Sequence, residues 1–111
     1  MPESDRHRRI AVNESRFREI NDRLAVGLAS LRHQPEHLEF VCECAMLDCR
    51  AKVRLTADEY ERIRSDPMLF AVLDGHQIED AEDVVARNDR FLTIRKHADV
   101  EPVVTATDPR S

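Results

Sequence analysis

Phe40-Val41-Cys42-Glu43-Cys44-Ala45-Met46-Leu47-Asp48-Cys49-Arg50-Ala51-Lys52-Val53-Arg54-Leu55 contains all three cysteines of the chain, gathered in one short turn between two apolar runs. Leu38-Glu39-Phe40-Val41-Cys42 and Lys52-Val53-Arg54-Leu55 read as strands entering and leaving that turn. Zinc takes four ligands in a tetrahedron and binds thiolate sulfur tightly, because the sulfur is soft and anionic. A Cys-X-Cys step brings Cys42 and Cys44 to one ion where the backbone turns tightly. Cys49, after four intervening residues, can return as the third ligand. The reading is a structural zinc knuckle in search of a fourth partner.

His76 is the leading candidate for that partner. It follows Gly75 in the turn Asp74-Gly75-His76, where glycine's backbone freedom lets the next side chain be aimed. His37 ranks second, ahead of His33 and His97, and His7 is assigned to a solvated helix face. Three thiolates and a neutral imidazole form a closed site, suited to structure rather than to activating water. Glu43 and Asp48 are expected to point outward. Their polarity places the cysteines in a loop, against the alternative of buried small hydrophobes or a redox pair. The spacing is not the paired Cys-X-X-Cys of common zinc fingers. An iron–sulfur cluster ranks well below zinc.

Outward from the turn, Thr56-Ala57-Asp58-Glu59 is a capping box that opens a short helix from Ala57 to about Ser65, with Tyr60 and Ile63 inward and Pro67 beyond its end. Met68-Leu69-Phe70-Ala71-Val72-Leu73 is a compact apolar run. Asp83–Arg87 and Phe91–Arg95 flank Asn88-Asp89-Arg90 as a β-hairpin. Upstream, the stretch from Glu3 to about His33 has no proline and one glycine. Its apolar residues Ile10, Phe17, Ile20, Leu24, Leu28 and Leu31 recur at helical spacing. This stripe either completes the core of its own body or forms a coiled-coil seam for a second copy or another protein. Arg6, Arg8, Arg9, Arg16, Arg18 and Arg23 interleave with Glu14, Glu19 and Asp22, as on a salt-bridged helix face. Glu79-Asp80-Ala81-Glu82-Asp83 reads as a solvated acidic loop.

The expected fold is α+β: a long N-terminal helix with a small antiparallel sheet, one short helix and a zinc knuckle. Residues 1–34 form the amphipathic helix, 38–97 the zinc-stabilised α+β domain, and 98–111 a disordered tail. At 111 residues, with 5% aromatics and no tryptophan, the chain can bury only a modest core, which is where a metal or an oligomer supplies missing stability. The formal net charge of −5 argues against nonspecific binding to nucleic acid or anionic membranes. The polar N-terminus and the lack of any long apolar run lead to an expectation of a cytoplasmic protein without membrane attachment. An odd number of cysteines in a reducing compartment points to metal or free thiols.

The residues Phe40-Val41-Cys42-Glu43-Cys44, Cys49, Val53-Arg54-Leu55-Thr56, Glu59-Tyr60, Arg64, Pro67, Phe70-Ala71-Val72 and Gly75-His76 resemble a group of small, largely uncharacterised actinobacterial proteins. Those proteins share a long N-terminal helix, a Cys-Glu-Cys…Cys turn and a later Gly-His. The resemblance runs from about Arg9 to Lys96 and implies that Cys42, Cys44, Cys49 and His76 occupy metal-ligand-like positions. Here Ala45-Met46-Leu47 stands in place of a more polar turn, and Leu73-Asp74 precedes the Gly-His where a proline is common. The group brings no activity with it.

No nucleophile elbow or glycine-rich phosphate loop is present, and two glycines leave little material for a nucleotide cradle. The function expected is a non-enzymatic zinc-binding module for protein–protein interaction, with a regulatory role and a partner or second copy on the N-terminal helix. The alternatives are a transcriptional regulator contacting DNA or RNA polymerase through the arginine face, and a thiol-based redox sensor.

Overall fold

The computed structural model describes residues 3–29 and 36–110. Helix α1 spans Glu3–Ala29, followed by β1 (Leu38–Val41), β2 (Lys52–Leu55), α2 (Ala57–Arg64), β3 (Leu69–Val72), β4 (Glu82–Arg87) and β5 (Leu92–Lys96). A single 3-10 turn (Ala98–Val100) then leads into α3 (Glu101–Thr107). The α+β class is as expected, but the single expected sheet is two. β1 and β2 form an antiparallel pair, and β3, β5 and β4 form a three-stranded antiparallel sheet in that order.

Local chemistry accounts for these elements. In β2 the alternation of Lys52, Val53, Arg54 and Leu55 leaves Val53 and Leu55 inside and the two cations outside. Thr56 caps α2 through its side chain, which accepts from the Glu59 amide at 3.0 Å, while the Glu59 carboxylate accepts from the Thr56 amide at 2.7 Å. This is the reciprocal capping box. Tyr60 and Ile63 then face the core, with Tyr60 stacked on Phe40 at 4.5 Å between ring centres. In the β4–β5 hairpin the Asn88 side chain accepts from the amides of Arg90 and Phe91, fixing the turn. The core runs from Leu38, Phe40, Val53 and Leu55 through Tyr60 and Phe70 to Leu92, Ile94, Val100 and Val104.

α1 packs on this body with an unexpected face. Ile10 and Phe17 are buried, but Ile20 and Leu24 are 47% and 39% exposed. The helix instead turns Glu14, Arg18, Asn21 and Asp22 inward, all nearly or fully buried. Each finds a tertiary partner, which is the condition for burying a polar group. Asp22 accepts from Tyr60 and from two nitrogens of Arg64. Leu28 reaches the edge of the core, whereas Leu31 and His33, also expected on this helix, lie outside the described residues.

Three more expectations are corrected. The segment after His97, expected to be disordered, is helical through Thr107. Val100 and Val104 are buried, Pro102 sits in the first turn where its missing N–H breaks no bond, and Ser15 hydrogen-bonds Thr107 at 2.8 Å. His7 is not solvated: it is buried, with Nδ1 3.0 Å from Asp99. The acidic run 79–83 is only partly a loop, since Glu82 begins β4 and is buried against Lys96 at 2.8 Å. Among the described residues, no helix is long and apolar enough to cross a membrane.

Candidate metal centre

The turn between β1 and β2 is built to present sulfur. β1 delivers Cys42, whose amide donates to Ala51 across the mouth of the turn at 3.1 Å. Cys49 is brought back by its own amide, which donates to the Met46 carbonyl at 2.9 Å. From the other side, the turn after β3 delivers His76. The His76 amide bonds the Leu73 carbonyl at 3.0 Å, and Gly75 takes φ +97°, a conformation that glycine adopts without cost.

These two turns bring together the four residues singled out by the sequence. The Sγ atoms of Cys42, Cys44 and Cys49 and a ring nitrogen of His76 lie within 4.8 Å of one another. His76 Nδ1 is 3.6 Å from Cys42 Sγ and 3.6 Å from Cys49 Sγ. A tetrahedron with ordinary zinc–sulfur and zinc–nitrogen bonds has sulfur–nitrogen edges of about 3.6 Å and sulfur–sulfur edges of about 3.8 Å. The two imidazole–sulfur edges match. All three cysteines are free of disulfides. His37 and His97, the other candidates within the described residues, are not part of the cluster; His97 instead faces Asp83 at 3.5 Å.

The cluster is electron-rich before any ion binds. Cys44 is held down at about 5, first by a hydrogen bond from Cys42 and also by one from His76, against burial that pushes it up. The same contact with Cys44, together with burial, raises the Cys42 thiol well above its ordinary value, although the Leu73 amide donates to Cys42 Sγ at 3.2 Å and opposes the rise. Burial also raises Cys49. A divalent cation bound here would replace the protons that the sulfurs share.

Glu43 overturns its expected placement. Between the two cysteines the Glu43 side chain is directed into the body rather than into solvent. Glu43 is fully buried. One carboxylate oxygen accepts from the Ala71 amide at 3.0 Å and the other from Asn21 Nδ2 at 3.0 Å, while the Glu43 amide donates to Ala71 at 2.8 Å. Asn21 also grips Val41, donating to its carbonyl and accepting from its amide, both at 2.8 Å. Arg18 lies 3.6 Å from Glu43, donates to the Pro67 carbonyl at 2.8 Å and stacks over Phe70 at 3.5 Å. Asn21, Arg18 and Glu43 therefore lock the cysteine turn to α1 and to the open edge of β3. Such supporting contacts orient a ligand set as much as the ligands do. Asp48 stays exposed, as expected, as do the apolar tip residues Met46 and Leu47.

No family model, curated protein or solved structure matches the chain.

Proposed function

We propose that this chain is a non-enzymatic interaction module whose two halves are stapled by a structural zinc ion held by Cys42, Cys44, Cys49 and His76. The observation that carries the reading is the convergence of three thiols and one imidazole on a single point, from turns 27 residues or more apart for each cysteine–histidine pair. Zinc suits this donor set, because soft sulfur with imidazole in a tetrahedron is its preferred structural environment. All four positions are filled by protein, which leaves none for substrate.

The interaction surface in this reading is the outer side of α1, where Ile20, Leu24 and Val26 are exposed, together with the open face and edge of β3-β5-β4, where Val84 and Val85 are exposed. The nucleic-acid alternative has less to draw on. Arg18 is buried, Arg6 pairs with Asp80, and Arg23 pairs with Glu19 at 2.8 Å. The redox alternative draws on Cys49, which is half-exposed and open to an oxidant.

X-ray absorption at the zinc edge tests the closed site. The expected shell is three sulfurs at about 2.3 Å and one nitrogen at about 2.0 Å. A shell with a water oxygen, or with fewer than three sulfurs, would overturn the structural reading and return the site to catalysis.

A further inference from the structure

The outer face of the three-stranded sheet is only partly covered. α2 lies along one side of it, and between α2 and the β4–β5 hairpin a cleft of about 280 Å³ opens. Its floor is apolar, made by Ile63 of α2, Leu69 of β3, Ala86 of β4 and the ring of Phe91. Its rim is basic.

Four arginines stand around this face, and they fall into two kinds. Arg90 is committed to Glu59 through two bonds, at 2.7 and 2.8 Å, and to the Arg54 carbonyl at 2.7 Å. Arg95, across the strand pairing from Leu69, is committed to Asp66. Arg62 and Arg87 line the cleft, are exposed, and have no side-chain partner among the described residues. Glu59, the one acid in the lining of the cleft, is thus paired with Arg90, which leaves Arg62 and Arg87 as the uncommitted charges of that lining; Asp58, one turn before Arg62 on α2, lies outside it.

We propose that this cleft seats an acidic segment of a partner protein. One large apolar side chain enters over Ile63, Leu69 and Phe91, and carboxylates on either side of it meet Arg62 and Arg87. The inference rests on the interaction-module reading and gives its partner a chemistry. The volume, about 280 Å³, admits one leucine- or phenylalanine-sized anchor. Charge complementarity points the same way. Arginine beside an apolar pocket is a recurrent anchor arrangement at protein interfaces, and complementary rim charge speeds encounter and excludes wrong partners. A long polyanion such as nucleic acid would instead meet the net negative field of the rest of the chain.

The test is an amide NMR titration of the full-length, zinc-loaded protein with a blocked hexapeptide, acetyl-Asp-Glu-Leu-Phe-Asp-Glu-amide. Shifts are expected at residues 59–63, at 69 and at 86–93. The variant Arg62→Glu/Arg87→Glu, with both positions exposed and its melting temperature checked, should weaken binding about tenfold or more. A peptide with lysine in place of each acid should not bind. The proposal is overturned if the peptide causes no shifts at millimolar concentration, if the double variant binds as well, or if octanoate alone reproduces the shifts while the peptide gives none. Shifts confined to the Ile20–Leu24 side of α1 would also overturn it, yet would leave the interaction module standing. The zinc-edge measurement judges the staple separately.

Discussion

The Cys42/Cys44/Cys49/His76 cluster and the Glu14/Lys96/Glu82 cluster are both polar groupings enclosed by the same small body, and they differ in how their charge is closed. Lys96 Nζ sits 2.8 Å from Glu14 and 2.8 Å from Glu82, and all three side chains are completely buried. Burial, and then the Glu82 charge, raise Glu14 well above the usual carboxylate range. In this triad the Lys96 ammonium stands between the two acids, so the cluster carries its own cation. Among the described residues no arginine or lysine is paired with the sulfurs: Arg50, next to Cys49, donates to the Leu47 and Cys49 carbonyls, and Arg18 is occupied by Glu43 and Phe70. A buried polar cluster is stable only when its charges and hydrogen bonds are complete. One cluster has its cation within the chain; the other, in the proposed reading, takes its cation from solution.

Breaking the thiol cluster should have the largest effect. Structural zinc contributes apparent binding energies of about 10–16 kcal/mol, comparable with the whole stability of a domain at about 5–15 kcal/mol. Cys44→Ser should lose the metal and the cooperative thermal transition together, as read by elemental analysis and circular dichroism. Retention of metal and an unchanged melt would contradict the staple. Lys96→Met comes next, since it strands Glu82 without its cation; urea titration should show a loss of about 3–5 kcal/mol with the metal still bound.

Glu14→Gln sharpens the contrast through pH. Because the folded state raises Glu14, the unfolded chain releases this proton first as pH rises. The stability it contributes is complete below the ordinary value of 4.5 and is lost as pH climbs toward the folded value. The glutamine variant should lack that decline, so its stability relative to the native chain should grow from pH 4.5 to 8 in parallel urea titrations. A constant difference across that range would mean that Glu14 is ionised in the fold. The smallest effect serves as the reference point outside both clusters: Thr56→Ala removes the α2 cap and should cost about 1 kcal/mol without touching metal content.

What the sequence made legible follows the same divide. The strand alternation of Lys52–Leu55, the capping box at Thr56 and Glu59, and the hairpin around Asn88 are written in local rules, and the fold obeys them. The four clustered residues were visible because three cysteines in one turn and one glycine-positioned histidine are rare and chemically specific. The rotation of α1 was not visible. Hydrophobic spacing directs the helix toward Ile20 and Leu24, but Asn21, Arg18 and Glu14 win the interior through partners distant in sequence: the β1 backbone, the Pro67 carbonyl and Lys96. Glu43 was missed for a similar reason, since its partners Ala71 and Asn21 meet only after the fold closes. After His97 the two buried valines, Val100 in the 3-10 turn and Val104 in α3, are too few to signal a helix, and Pro102 and Pro109 read as breakers until Pro102 is placed in a first turn.

Native mass spectrometry of the protein prepared under reducing, chelator-free conditions tests the central claim most directly. The account predicts a mass excess of one zinc per folded chain, absent from the denatured spectrum, with chelation converting the folded charge-state distribution to the unfolded one. A folded, metal-free chain with three reduced thiols would contradict it, and the cluster would then be a thiol centre open to oxidation at Cys49.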